Sequence, residues 1–255
     1  MRRIVSQAAA AIVASLSVAT PALAWQVTWL GHAGFVIAAK DGTRLMIDPW
    51  LKNPKFPANY QLPDRIDAIL VSHGHFDHSG SATELSTKFK APIVGAFELT
   101  SLLQPKGGPE GLGGNIGGTI TVKGITITMI PAVHSSSVTD ADGHAAYAGN
   151  PVGFVLRAPG ERTLIHAGDT GLTKDFQMVG DMYRPQIALL PIGGHYTMGP
   201  SEAAVAARYL GVRNVVPMHY GTFPALAGTP AQLKDALKCC RVKVTEMTPG
   251  SKISL

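Results

Sequence analysis

Short apolar runs bounded by Gly, Pro and Asp recur along the chain and predict strands. The early ones are Val27–Leu30, Gly34–Ala38, Arg44–Ile47 and Ala68–Ser72. Later ones are Thr119–Val122, Ile125–Ile130, Gly153–Leu156, Thr163–His166, Ile187–Pro191, Val215–Pro217 and Val242–Thr245. Helical patterns fall between some of these. Ser201–Leu210 is Ala-rich behind Gly199-Pro200. A second helix starts at Thr229-Pro230-Ala231-Gln232, where Thr229 can cap, Pro230 suits the first helical position and Gln232 completes a capping box. Hairpins early and strand–helix alternation later predict an α/β protein rather than a sandwich or a bundle. The glycine-dense segment Lys106–Gly118 lacks the Gly-Lys-Ser/Thr ending of a phosphate loop and reads as a mobile surface loop. There is no repeat of fixed period and no linker long enough to divide two domains.

The first 24 residues follow another pattern. Arg2 and Arg3 precede an apolar, Ala-rich stretch from Ala8 to Val18 and then Pro21-Ala22-Leu23-Ala24. This is the layout of a secretory signal peptide with cleavage after Ala24, and the run is too short and too Ala-rich to span a bilayer. No later segment approaches about 18 uninterrupted apolar residues. Residues 25–255 are therefore expected as one exported domain, periplasmic or secreted, with no stable membrane anchor. With 45% hydrophobic and 15% charged residues, the chain is neither disordered nor collagen-like nor a coiled coil. Two cysteines exclude a disulfide scaffold and any four-cysteine metal site. The net charge of +5 loses two arginines with the leader and carries no Lys/Arg cluster, which argues against a nucleic-acid partner. A mild positive balance hints, weakly, at an anionic small-molecule substrate.

The segment Ile69-Leu70-Val71-Ser72-His73-Gly74-His75-Phe76-Asp77-His78 runs an apolar strand straight into three His and one Asp. Unpaired polar groups are costly behind a buried strand, so a merely solvated histidine run fits poorly there. His73 and His75 stand two apart, and an extended backbone points both rings the same way. Asp77 and His78 lie at the turn into a helix and can face a second point. Imidazoles and a carboxylate around an open position suit a catalytic zinc-type ion. Further ligand types stand where other strands end: His134 after Ile125–Ile130, Asp169 after Thr163–His166, and His219 after Val215–Pro217. In open α/β sheets, ligands gather beyond the carboxyl ends of strands.

With these residues the chain resembles the metallo-β-lactamase superfamily of metal-dependent hydrolases. Within it, the chain looks most like the branch related to ascorbate-phosphate lactonases and to phospholipase-D-type enzymes that cleave N-acyl phosphatidylethanolamine. The motifs that carry the resemblance run from Trp29-Leu30-Gly31-His32-Ala33-Gly34-Phe35 and Ile47-Asp48-Pro49-Trp50-Leu51, through the His73–His78 box, His134-Ser135-Ser136 and Gly168-Asp169-Thr170-Gly171. They end with Gly193-Gly194-His195-Tyr196-Thr197-Met198-Gly199-Pro200 and His219-Tyr220-Gly221-Thr222-Phe223-Pro224, which mark the branch most sharply. The resemblance implies an αβ/βα four-layer sandwich, two mixed sheets with helices on the outer faces, and two divalent ions at one edge. It implies that His73, His75 and His134 hold one ion, that Asp77, His78 and His219 hold the other, and that Asp169 bridges them. Hydroxide formed from water at the metal would then attack an ester, lactone or phosphodiester. Zinc is the first choice of metal, with manganese and iron as alternatives.

Other residues are read separately. His195, among flexible glycines, is assigned a substrate-facing role as general acid or anion-binding group, beside Asp77 as a catalytic residue. His32 is open between supporting a ligand and supporting the backbone. Asp48 is expected to orient a ligand His by hydrogen bonding. His166 and His144 are expected to be structural, and the roles of the adjacent Cys239 and Cys240 stay open. Among rivals, the best-known β-lactamases of the superfamily use a Cys in the second site, where this chain offers Asp169. A mononuclear iron dioxygenase shares the ligand types. A di-iron redox protein would replace His75 with Glu, and a nuclease would need a basic track for phosphates.

Overall fold

The computed structural model describes residues 24–140 and 142–255, so the expected leader lies outside the described residues except for Ala24. In chain order the first part supplies β1 (Gln26–Trp29), β2 (Phe35–Ala38), β3 (Arg44–Ile47), β4 (Ala68–Leu70), the one-turn helix α1 (Phe76–Ser79), α2 (Ala82–Phe89), β5 (Ile93–Ala96), α3 (Phe97–Leu103) and β6 (Leu112–Gly114). Next come β7 (Thr119–Val122), β8 (Ile125–Pro131), β9 (Ser137–Thr139), β10 (Ala145–Tyr147), β11 (Val152–Arg157), β12 (Leu164–His166) and α4 (Asp175–Tyr183). The chain ends with β13 (Ile187–Pro191), α5 (Pro200–Leu210), β14 (Asn214–Met218), α6 (Pro230–Ala236), β15 (Lys243–Val244) and β16 (Lys252–Ser254).

Two seven-stranded sheets result, ordered β16-β1-β2-β3-β4-β5-β6 and β15-β14-β13-β12-β11-β8-β7, with β9 and β10 as a separate ribbon. Each sheet is antiparallel over one part and parallel over the rest. Parallel neighbours cannot be joined by a tight turn, and several of their connections here carry the helices. Side-chain alternation along the strands decides the layers. Ile37, Leu45, Ile47 and Leu70 from the first sheet meet Ile127, Phe154, Leu156 and Leu189 from the second in one buried layer. Val36, Met46 and Ile69 face the other way, onto Leu85 of α2 and Leu99 of α3. Val155, Ala188, Leu190 and Val215 face outward under Phe176, Ala203, Ala207 and Leu233 of α4 to α6. Three apolar layers between four layers of structure are the αβ/βα sandwich that the motifs imply. Trp25, one residue past the expected cleavage point, is fully buried and donates its Nε1–H to the Arg162 carbonyl at 2.6 Å.

The expected strands are present, most with ends moved by a residue or two. The capping box forms as anticipated: the Thr229 hydroxyl accepts from the Gln232 amide and the Gln232 side chain from the Thr229 amide. One expectation is corrected. Lys106–Gly118 is not all loop, because β6 adds to β5 as a parallel edge strand. The two glycines of β6, Gly113 and Gly114, are there for close contact. A Cβ at Gly113 would sit 2.7 Å from Thr100 Oγ1 and 2.9 Å from Phe97 Cα, so only glycine lets α3 lie this close.

Candidate metal centre

The strands that carry candidate ligands deliver them to one edge of the sandwich. β4 continues through Val71-Ser72 into His73-Gly74-His75, and α1 then holds Asp77 and His78. His134 follows β8, Asp169 follows β12, His219 follows β14 and Asp48 follows β3. Between the first two histidines a Cβ on Gly74 would lie 2.7 Å from the Ser137 carbonyl oxygen and 2.8 Å from Ala148 Cβ, so the box needs glycine there. Seven described non-glycine residues have left-handed φ; Lys90, Lys123 and Arg184 sit at helix ends or in a turn. The other four are His32, Asp48, His195 and His219, with φ between 45° and 56°. Such backbone persists where the surroundings over-determine it, and here it gathers around one site.

The donor atoms fall into two groups joined by one carboxylate. Those of His73, His75 and His134 all lie within 4.8 Å of one another, as do those of His32, Asp77, His78 and His219. Asp169 Oδ2 stands between the groups, 2.9 Å from His219 Nε2, 3.3 Å from His78 Nε2 and 3.7 Å from His134 Nε2. The seven residues expected as ligands are thus brought together, and His32 joins them. Among the described residues six buried side-chain polar atoms lack a hydrogen-bond partner, and four are here: His78 Nε2, Asp169 Oδ1 and both ring nitrogens of His219. His219 Nε2 is close to Asp169 Oδ2, yet the contact lacks hydrogen-bond direction. Buried polar atoms are rarely left this way, and several converging on one region fit cations. Nitrogens about 2.0–2.1 Å from a tetrahedral ion would lie roughly 3.3 Å apart, close to the 3.0 Å between His73 Nε2 and His75 Nδ1. The residues present therefore fit divalent metal.

Surrounding bonds fix which nitrogens face inward. Asp48 is fully buried; its carboxylate accepts from the Ser72 amide at 2.7 Å, the Ser72 hydroxyl at 2.7 Å and His78 Nδ1 at 2.8 Å. With its proton committed to Asp48, the Ser72 oxygen can accept from His73 Nδ1, 3.0 Å away. One carboxylate thereby orients two histidines, one directly and one through a serine, and turns both Nε2 lone pairs to the centre. His32 donates from Nε2 to Asp77 Oδ2 at 3.0 Å, and its Nδ1 lies 3.0 Å from the Thr222 hydroxyl.

The electrostatics follow from burial and from the two carboxylates. Burial lowers His73, His75 and His134 below the usual imidazole value, which leaves them neutral and ready to ligate. Burial brings His32 down to about 4, despite its bond to Asp77. Burial would raise Asp169, but the His78 and His219 charges outweigh it and hold the carboxyl well below its ordinary value. Asp77 is likewise lowered, with burial overcome by the bond from His32 and the neighbouring imidazoles. His78 is the counterpart: burial alone would lower it, yet Asp169 and Asp48 raise it well above the ordinary value. Two anionic carboxylates flanking this imidazole demand positive charge at the centre, whether a proton or a metal.

A cavity of about 790 Å³ opens over the cluster. His75, Asp77, His134, Asp169 and His219 line it together with Ser135, Phe76, Tyr196, Phe223, Pro224 and Ala225. His195 is exposed and is not in that wall; its ring stacks edge-on against Tyr196, with centroids 4.3 Å apart. His166 is structural, as expected: buried in β12, it donates from Nε2 to the Ala33 carbonyl at 3.0 Å and accepts from the Gly168 amide at 3.2 Å. His144 lies exposed beside Asp140 in the turn between β9 and β10. Cys239 and Cys240 stand away from the ligands, with sulfurs 3.1 Å apart.

Residues 43–220 match the family described as the β-lactamase superfamily domain. The chain is 50% identical over 235 residues to a UPF0173 metal-dependent hydrolase of Myxococcus xanthus, spanning 90% of this chain and 83% of that one. A UPF0173 metal-dependent hydrolase of Pyrobaculum aerophilum is 44% identical over 90% of this chain and 100% of its own. Among solved structures, Igni18, a metallo hydrolase from the hyperthermophilic archaeon Ignicoccus hospitalis, aligns with a TM-score of 0.79 at 36% identity. That alignment covers 91% of this chain and 98% of the other.

Proposed function

The chain belongs to the β-lactamase superfamily domain family as a metal-dependent hydrolase, and from that premise we propose that it is an exported enzyme that uses two divalent ions to cleave an ester, lactone or phosphodiester bond. His73, His75 and His134 would hold one ion, Asp77, His78 and His219 would hold the other, and Asp169 would serve both. The observation that carries this reading is the pair of donor groups meeting at Asp169, with buried polar atoms of Asp169, His78 and His219 left without a hydrogen-bond partner there. When bound, such ions act as Lewis acids and lower the pKa of water from about 15.7 toward 7. Zinc is the first choice, because five imidazoles and two carboxylates suit a borderline ion.

The chain's own residues then orient and exclude. Asp48 and Ser72 keep His73 and His78 in the tautomer that faces the centre. His32 holds Asp77 Oδ2, the oxygen that lies 3.8 Å from His219 Nε2 and 3.9 Å from His78 Nε2. The lowered values of Asp77 and Asp169 keep both carboxylates ionised at neutral pH, able to accept a hydrogen bond from an attacking water. His195 is exposed beside Tyr196 of the cavity wall, and its role toward substrate would be to donate a hydrogen bond or proton to a departing group that projects past Tyr196.

Elemental mass spectrometry of the purified protein tests the metal count: two ions per chain are expected, and a single iron would favour a dioxygenase instead. Asp169→Ala is expected to abolish turnover in a folded protein, and full activity in that variant would sink the two-ion mechanism. Export rests on the Arg2-Arg3 start, the apolar run and the Ala24 site, and the burial of Trp25 just beyond it supports that boundary. Intact mass of the periplasmic protein should begin at Trp25; a chain that retains Met1 would refute cleavage.

A further inference from the structure

The wall of the cavity says which substrates the site was built for. Its floor is ligands, but above them Phe76, Tyr196, Phe223, Pro224 and Ala225 form an apolar rim in which Ser135 is the lone neutral polar side chain apart from the Tyr196 hydroxyl. Phe76 is 64% exposed and Tyr196 is 57% exposed, a costly placement for large rings unless something covers them. The rings are also held in place. Phe76 packs edge-on against Trp50 at 5.5 Å, and Trp50 stacks on Phe223 at 5.7 Å, so the wall stands before any ligand arrives.

Among the described residues no Lys or Arg lines the cavity, and the charge of Asp77 and Asp169 on its floor would be offset by the ions they hold. The chain's basic residues gather elsewhere. Arg184, Arg208 and Arg213 line a separate cleft of about 470 Å³ beside the starts of β13 and β14, at the far end of those strands from the ligands. The net positive charge therefore gives an anionic substrate nothing to bind at the site itself, and the weak expectation of such a substrate is not supported by this wall.

Resting on the hydrolase reading above, we infer that the substrate is an uncharged carboxylic ester or lactone whose acyl or alkyl part is apolar and lies against Phe76, Tyr196 and Phe223. Beyond the metals, an anionic phosphodiester would find no cation in this wall to receive the rest of its charge. A cavity of 790 Å³ lies in the range that holds a whole small ligand, so the apolar part can run to several carbons or a ring.

Two series test this on the metal-loaded enzyme. With p-nitrophenyl esters from acetate to octanoate, kcat/KM should climb by roughly two- to fourfold per methylene until the wall is filled, the upper figure being full burial. Bis(p-nitrophenyl) phosphate should fall far below the octanoate ester. In parallel, affinities of alkyl hydroxamates from methyl to octyl, measured by calorimetry, report binding without turnover. They should tighten with chain length in the wild type. For Phe76→Ala and Tyr196→Ala, shown to keep their metal, the octyl compound should weaken about tenfold and the methyl compound hardly change. Phe76→Leu should retain most of the slope. A flat hydroxamate series, no hydroxamate binding, or a preference for tails ending in carboxylate would overturn the inference. A steep hydroxamate series with no ester cleaved would uphold the apolar site and refute the hydrolytic reading on which its substrate class rests.

Discussion

Asp48 takes three hydrogen bonds, two from Ser72 and one from His78, and steadies His73 through the Ser72 hydroxyl. Its backbone is left-handed, φ 45°, and its carboxylate meets Ser72 and His78 at the end of β3. Asp48→Asn should weaken metal binding about 10- to 100-fold at both positions, whereas Ser72→Ala should mainly release the His73 side. Competition with a chromogenic chelator would separate the two, and equal losses in both variants would contradict the relay. The ligand types themselves were legible, because each stands directly after an apolar run. Asp48 was legible as a supporter of some histidine, though not of which one. The pairing of His32 with Asp77 was not, since 45 residues separate them and only the fold brings the turn after β1 against α1. Nor was the retreat of His195 from the wall, where its neighbour Tyr196 takes the place.

Strands announced themselves wherever an apolar run was uninterrupted, as in β3, β7 and β13, whose limits match the sequence reading residue for residue. β5 and β6 did not, because Gly95, Gly113 and Gly114 break the run for reasons of contact with α3 and its neighbours rather than of turn formation. Short helices such as α3, seven residues without a side-chain N-cap, also left little trace. Between elements, Asp67 ties the two sheets at the end remote from the ligands. Its covered carboxylate accepts from the Arg44 amide at 2.8 Å and from Lys123 Nζ at 2.6 Å, across the turn joining β7 to β8. Burial pushes this carboxyl up, but the bonds from Lys123 and Arg44 outweigh it and leave the value lowered. A lowered carboxyl stabilises the fold above its unfolded value, near pH 4, and that contribution fades as pH falls through the folded value. Asp67→Asn should therefore cost about 1 kcal/mol at pH 7, modest because Lys123 and Arg65 remain half-exposed. Urea midpoints of variant and wild type should converge in acid; a constant gap at every pH would reject this account.

At the scale of the molecule, the ligands divide between the sheets. Strands of the first deliver His73, His75, Asp77 and His78, and strands of the second deliver His134, Asp169 and His219. Their order along the chain was legible, but the sheet order was not, since the return of β16 beside β1 leaves no local sign. Ions seated between the sheets bind only the folded state, so removing them with a chelator should lower the melting temperature. At free metal a thousandfold above Kd the linkage is about 4 kcal/mol, on the order of 10 °C for a domain of this size. An unchanged melting temperature would mean that the ions do not hold the sheets together. The pairing of β16 with β1 has a topological consequence. The Leu255 amide donates to the Trp25 carbonyl at 3.0 Å, so the two ends of the folded domain meet at the edge away from the cavity. Joined there and reopened between β6 and β7, the domain would be a ring cut at a different point. Its order would then run through every strand of the second sheet before taking up the first as β16-β1-β2-β3-β4-β5-β6, the spatial order of that sheet. In a circular permutant of this kind the first sheet, which β16 now joins from the far end of the chain, would be encoded like the second by one unbroken stretch.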